Sequence, residues 1–274
     1  MTDCERAALL CDLIRSDQPY VESILSQHGF SSCRFFSNGI QAFIADQDRD
    51  PPHTRWLVFR GTDADDPRDW LANLDLSRVE TERIGSVHHG FLTALIEQCW
   101  AGISSAVLDG FDTRPRRFAT AGHSQGGALA NIAAAMFGQS LKVDSLITFG
   151  CPRVGDKRFA AAVDVNVDRH LRCVNNNDVV ARIPIPISAW TAMFWSWLTR
   201  SPLPLAPGYR HAPGDVIYFT ADGGLRINPP KWFLVRDRLR GRWLDLLEWG
   251  TDGIKDHAMD RYLSLVQRHA KQIG

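Results

Sequence analysis

Apolar and polar positions along this chain follow two rhythms. Residues 5–27 place Leu9, Leu10, Leu13, Ile14, Val21, Ile24 and Leu25 at helical spacing, and Gly29 ends that run. Residues 90–109, 127–138 and 254–269 repeat the helical pattern. Between them lie short apolar runs of strand length. They are Arg34–Phe36, Ile40–Ala45, Trp56–Arg60, 117–121, Ser145–Phe149, Leu171–Val174 and Val216–Thr220. The first two flank Asn38-Gly39, a strong hairpin signal. The later runs are mostly apolar, as strands buried on both faces should be.

Strands of this length alternating with helices predict an α/β chain with a central, mostly parallel sheet flanked by helices. The opening hairpin adds an antiparallel edge, so the sheet is expected to be mixed. Chemistry in such a sheet gathers at the carboxyl ends of the strands. Gly61, Ser124, Gly150 and Asn175 all follow predicted strand ends and should line one rim.

Composition narrows the picture only slightly. The 274 residues carry 31 basic and 31 acidic side chains, which gives no electrostatic argument for nucleic acid. Hydrophobic content of 45% suits one large domain spanning 1–274. The six cysteines are scattered, without metal-ligand spacing, and read as reduced thiols. Met1–Arg6 has no basic leader, and the apolar stretch after it stops at Asp12. The expectation is therefore a cytoplasmic chain, with a peripheral place at a membrane or lipid surface as the alternative.

The candidate chemistry starts at Gly122-His123-Ser124-Gln125-Gly126, which sits between a strand and a small-residue helix. A nucleophile elbow needs this context: the glycines permit a sharp turn, and the serine stands at the sheet rim beside the positive end of a helix. A bare G-x-S-x-G is weak, since a serine in a Gly-rich turn can simply cap the helix. Partners decide, because a serine hydroxyl needs a histidine base, and the base needs an acid to fix its tautomer. In chains of the α/β-hydrolase kind, which this elbow resembles, the order is serine, acid, histidine. Asp178, in Asn175-Asn176-Asn177-Asp178 just past a strand, is the best-placed acid, though a turn or cap role suits it equally. Asp156, Asp164 and Asp168 compete but fall before that strand. The candidate bases are His211, His257 and His269. His257 lies on the loop entering the last helix, His211 precedes a strand, and His269 sits among Lys and Arg near the C-terminus, where solvation is expected. An oxyanion hole needs the backbone N–H of Gln125 and a second donor from the loop after a neighbouring strand, where Arg60-Gly61-Thr62 offers Thr62.

Together these segments resemble the class 3, fungal-type lipase family of the α/β-hydrolase fold. The likeness is carried by Leu57–Thr62, Asp69–Leu74, Val87–Phe91, Thr120–Ala130, Thr148–Asp156 and Asn177–Pro184. It spans roughly 35–186 and resumes at 208–220 and 256–263. The resemblance implies Ser124 as nucleophile, Asp178 as acid, His257 as base, and Thr62 with Gln125 as the oxyanion pair. It implies a lid at about residues 63–76, no metal and no cofactor. The implied activity is hydrolysis of acylglycerols or other lipid esters through an acyl-enzyme. Phospholipase A1, general carboxylesterase, acyltransferase and a non-catalytic lipase-like binding protein are the rivals.

The chain departs from the family pattern at His89 and in an apolar insertion at about 185–207 that holds three of the nine Trp. The insertion follows the acid segment. Trp and Phe at an active-site rim suit transient contact with a lipid–water interface, and a flap packed on its own domain suits them equally. Its apolar stretch is too short to span a bilayer. A second Trp- and Arg-rich stretch, Lys231 to Trp249, reads as a surface helix shielding the site, with a second interfacial element as the alternative.

Overall fold

The computed structural model describes residues 1–49, 51–61, 76–111, 116–184, 208–247 and 255–274. In chain order these form α1 (Asp3–Leu13), α2 (Gln18–Gln27), β1 (Phe30–Asn38), β2 (Ile40–Gln47), β3 (Thr54–Phe59), β4 (Arg78–Thr81) and β5 (Gly85–His88). Then come α3 (His89–Gln98), α4 (Trp100–Leu108), β6 (Arg117–His123), α5 (Gln125–Phe137), β7 (Val143–Phe149), α6 (Lys157–Asn166) and β8 (Val167–Asn175). A 3₁₀ turn (Val180–Arg182), β9 (Asp215–Phe219), β10 (Leu225–Ile227), α7 (Lys231–Leu247) and α8 (Met259–Ile273) follow.

Among the described residues the main sheet has eight strands in the order β1-β2-β3-β6-β7-β8-β9-β10. The five inner strands β3, β6, β7, β8 and β9 run parallel, while β1–β2, β2–β3 and β9–β10 pair antiparallel. This is the expected mixed sheet of an α/β-hydrolase, with a second antiparallel edge at β10 that the sequence pattern did not foretell. Strand alternation splits the apolar residues between two cores. Leu57, Phe59, Phe118 and Leu146 face α3, α4, α5 and α6. Trp56, Val58, Ala119, Ile147, Phe149 and Phe219 face α1 and α8. Both faces are covered, which explains why β3, β6 and β7 are buried along nearly their whole length. Helix α5 holds five alanines and two glycines among its thirteen residues, and these small residues let it lie close on the sheet.

Two expected helices are each divided. Residues 5–27 break at Asp17, whose carboxylate caps Tyr20 N–H at 2.9 Å; Pro19 follows in the first turn of α2, where its missing N–H costs nothing. Residues 90–109 bend by 66° between α3 and α4. At the break the Cys99 thiol donates to the Asn38 carbonyl of the β1–β2 turn at 3.4 Å, so the chain is tied there to the sheet edge. The last helix starts at Met259 rather than 254, which leaves His257 in the turn ahead of it. Among the described residues no single helix is long and apolar enough to cross a membrane. Thr62, the lid expected at 63–76 as far as residue 75, and the 185–207 insertion lie outside the described residues.

Candidate active site

Strand β6 ends at His123, and α5 begins at Gln125. Ser124 alone makes the turn, with φ 56° and ψ −126°. For a residue with a Cβ this is a sparsely populated conformation, costing roughly 1–3 kcal/mol. It persists because the surroundings leave no alternative. Ser124 N–H donates to the Phe149 carbonyl of β7 at 2.9 Å, and its own carbonyl accepts from Gly127 N–H at 3.0 Å. The flanking glycines are required by close approach: a Cβ on Gly122 would overlap the Gly126 carbonyl, and one on Gly126 would overlap the Phe59 carbonyl oxygen. Gln125, first residue of α5, carries its N–H at the positive end of that helix, next to Ser124. Gly61, at the end of β3, faces the same turn: a Cβ there would lie 3.2 Å from the Ser124 Cβ.

The acid and base meet beside the end of β7. His257 Nδ1 donates to Asp178 Oδ2 at 2.9 Å and lies 3.1 Å from Oδ1, with both side chains buried. Gly150 fits beneath this pair at φ 57°; a Cβ there would come within 2.6 Å of Asp178 Oδ2 and 2.8 Å of His257 Nδ1. Asp178 is also the turn residue that its local sequence suggested. Its Oδ1 accepts from Val180 N–H at 2.9 Å and Ala181 N–H at 3.2 Å, at the start of the 3₁₀ turn. Capping and pairing with His257 are thus two jobs of one carboxylate.

The other candidates have structural employment. Asp156 caps α6 through Phe159 N–H at 2.9 Å, Asp164 lies within α6, and Asp168 pairs with exposed Lys142 at 2.7 Å. His211 Nε2 donates to the Ala181 carbonyl at 3.0 Å, and burial holds its pKa well below the usual histidine value. His269 is half-buried rather than solvated as expected: its Nε2 donates to the Gly223 carbonyl at 2.8 Å, bracing the β9–β10 turn. His89 is exposed at the start of α3.

Three residues that sequence reasoning missed hold the pair in place. Tyr262, one turn into α8, donates its hydroxyl to Asp178 Oδ2 at 2.6 Å and accepts from Asn175 N–H at 2.9 Å. Burial, and then the adjacent Asp178 charge, push its phenol well above the usual value, so it remains a donor. Asp256 accepts from Asn177 N–H at 2.9 Å and Asn175 Nδ2 at 3.3 Å, pinning the acid loop to the base loop. His123 Nε2 donates to the His257 carbonyl at 2.6 Å. Burial, then His257, hold the His123 pKa well below the ordinary value, so His123 remains a neutral donor. His123 and Asp256 sit next to Ser124 and His257 in the sequence, and that adjacency was the only signal. The neighbouring Cys151 thiol is pushed up to about 12 by burial and is no rival nucleophile.

A serine on an elbow and a buried Asp–His pair at the same sheet rim are the parts that acyl transfer uses. Residues 56–187, from β3 through the acid turn, match the model of Lipase (class 3). Over that segment the chain is similar to the class 3 lipases. It is 31% identical over 160 residues to the secreted mono- and diacylglycerol lipase 1 of Fusarium solani, covering 57% of this chain and 41% of that protein. Among solved structures, Rhizomucor miehei triacylglyceride lipase superposes with a TM-score of 0.61 at 24% identity, over 81% of each chain. A triacylglycerol lipase with a serine protease triad as its catalytic centre superposes with a TM-score of 0.58 at 26% identity, over 74% of this chain and 71% of that one. The match covers between 33% and 41% of the length of the first curated relatives. The F. solani relative is a secreted enzyme, so it lends no weight to the cytoplasmic expectation.

Proposed function

We propose that this chain hydrolyses carboxylic esters of lipids, acylglycerols first among them, through Ser124, His257 and Asp178. The observation that carries the reading is the buried His257–Asp178 pair at 2.9 Å, on the same rim as a serine held at positive φ. Residues 1–274 would act as one catalytic unit, since the nucleophile comes from β6–α5, the acid from the β8 end and the base from the turn before α8.

In this reading Asp178 fixes Nδ1–H of His257, leaving Nε2 to take the Ser124 proton as Oγ attacks the acyl carbonyl. The oxyanion receives the Gln125 N–H, with Thr62 as the proposed second donor, each worth roughly 3–4 kcal/mol. His257 returns the proton to the departing alcohol. Water then attacks the acyl-enzyme, losing its proton to His257, and the fatty acid leaves as Ser124 is reprotonated. All six cysteines are free thiols, which fits a reducing compartment for this chain.

The test is hydrolysis of esters of increasing acyl length, as monomers and as emulsions, by wild type and Ser124→Ala. Turnover should fall by roughly 10⁵-fold or more in Ser124→Ala, with the far-ultraviolet circular dichroism unchanged. Retained turnover in that variant would reject the assignment. Profiling acyl length and headgroup separates acylglycerol lipase from phospholipase A1 and short-ester esterase.

A further inference from the structure

Helix α7 has two opposed faces. Phe233, Leu234, Asp237 and Gly241 turn inward. Phe233 packs edge-on to Tyr218 with ring centroids 6.4 Å apart, and Asp237 accepts from the Tyr218 hydroxyl and Ala221 N–H, each at 3.1 Å. At Gly241 the helix lies directly on Asn176 and Asn177 of the acid loop, where a Cβ would collide with both side-chain amides. The opposite face holds Trp232, Val235 and Leu239, which are 65%, 57% and 54% exposed. At about 100° per residue these three form one stripe, with Arg236 and Arg240 along one flank and Lys231 on the other. Exposed Ile227 and Arg226 of the edge strand β10 adjoin it across a cleft of about 710 Å³ lined by Trp232, Phe233 and Arg236.

We infer that this face is a docking surface for an anionic phospholipid membrane. Single exposed apolar side chains are ordinary. An aligned Trp, Val and Leu between rows of cations is the pattern of a helix lying in a lipid interface, rings in the acyl boundary and cations among phosphates. Charge complementarity selects the occupant. The whole chain is neutral, yet α7 carries five basic and two acidic residues, and one of those acids, Asp237, is buried and turned inward. A second copy placed symmetrically on this face would set cations against cations. The inward contacts fix the orientation: a membrane held by Trp232, Val235 and Leu239 lies across α7 from the Asn176–Asn177 loop. The docking does not depend on the proposed ester hydrolysis.

The experiment is sedimentation of the full chain with vesicles of non-hydrolysable ether-linked phosphatidylcholine, with and without ether-linked phosphatidylglycerol. Wild type should bind the mixed vesicles and release at high salt. Trp232→Gln/Val235→Gln/Leu239→Gln should lower the partition coefficient at least tenfold. Lys231→Glu/Arg236→Glu should remove the phosphatidylglycerol-dependent part, by roughly fivefold or more per position. Both variants should keep wild-type turnover of a short soluble ester, which shows that they fold. No binding by wild type, or unchanged binding by the triple variant, overturns the inference. So does concentration-dependent self-association of wild type that the triple variant abolishes, which would make the face an interface between copies. Failure of wild type to hydrolyse any ester would reject the proposed reaction while leaving vesicle binding to be scored by itself.

Discussion

Asp178 shows how crowded one carboxylate can be. It takes two backbone N–H groups from its own turn, the imidazole of His257 and the hydroxyl of Tyr262. Because Tyr262 touches the acid and not the proposed substrate pocket, it is a positioning residue. Tyr262→Phe keeps the ring packed edge-on to Phe149 and tilted against His123 but removes the hydroxyl donor to the Asp178 carboxylate. The expected result is kcat lower by about tenfold with KM little changed, from the typical 1.5–3 kcal/mol of such a bond. Steady-state kinetics on one soluble ester would show it, and a fall confined to KM would contradict the positioning role. At this scale the candidates Ser124, Asp178 and His257 could be picked out because the proposed chemistry needs those residue types and the α/β-hydrolase fold sets their order along the chain. Tyr262 and Asp256 were not, since hydrogen bonds to a neighbouring loop leave no periodic mark in sequence. The oxyanion role of Thr62 remains a proposal resting on the Arg60-Gly61-Thr62 segment.

At the scale of elements, Asp46 and Arg55 join three pieces of the fold. They face one another across β2 and β3, with Arg55 Nε 2.7 Å from Asp46 Oδ1 and Arg116 Nη1 2.6 Å from Oδ2. Arg55 also donates to the carbonyls of Ala106, Val107 and Asp109, neutralising the negative end of α4. Burial acts to raise the Asp46 pKa, but hydrogen bonds from Arg55 and Arg116 outweigh it and hold the carboxyl below its usual range. A lowered carboxyl stabilises the fold above the unfolded value, and that contribution disappears as pH falls through the folded one. Asp46→Asn should therefore cost roughly 2–3 kcal/mol in urea denaturation at neutral pH. The gap to wild type should close toward pH 3 as the native carboxyl protonates; an equal gap at both pH values would exclude the ion pair as the cause. Long elements such as β3, β6 and α5 were readable from apolar spacing. The β4–β5 hairpin, α6 and β10 were not, because the strands are only three or four residues long and α6 buries just Phe159, Ala160 and Val163 among its ten residues. The break at Cys99 also escaped notice, since it is set by contact with the distant β1–β2 turn.

The whole molecule stores several histidines in their neutral form. Burial holds His123 and His211 well below the ordinary value and His170 at about 3. Above about pH 6.5 the same residues are neutral in the unfolded chain too, so they carry no penalty. As pH falls below that, the unfolded chain binds protons that the folded one refuses, and stability drops until the folded values are reached. Urea midpoints between pH 7 and 4 should therefore fall steeply. His170→Gln should remove close to one proton from that slope, and a slope unchanged by the variant would count against the assignment. Molecular shape was legible in the sequence to the extent that strand and helix order dictates an α/β-hydrolase sheet. The joining of distant segments was not. Acid and base stand 79 positions apart, and the elbow histidine reaches 134 positions to hold the base loop. That spacing has a consequence for synthesis. A ribosome delivers the elbow first, the acid next and His257 last, and the base finds its place only once α8 docks beneath it. The proposed triad is thus incomplete until translation has passed His257 and α8 can dock, and any hydrolysis it supports would begin only then.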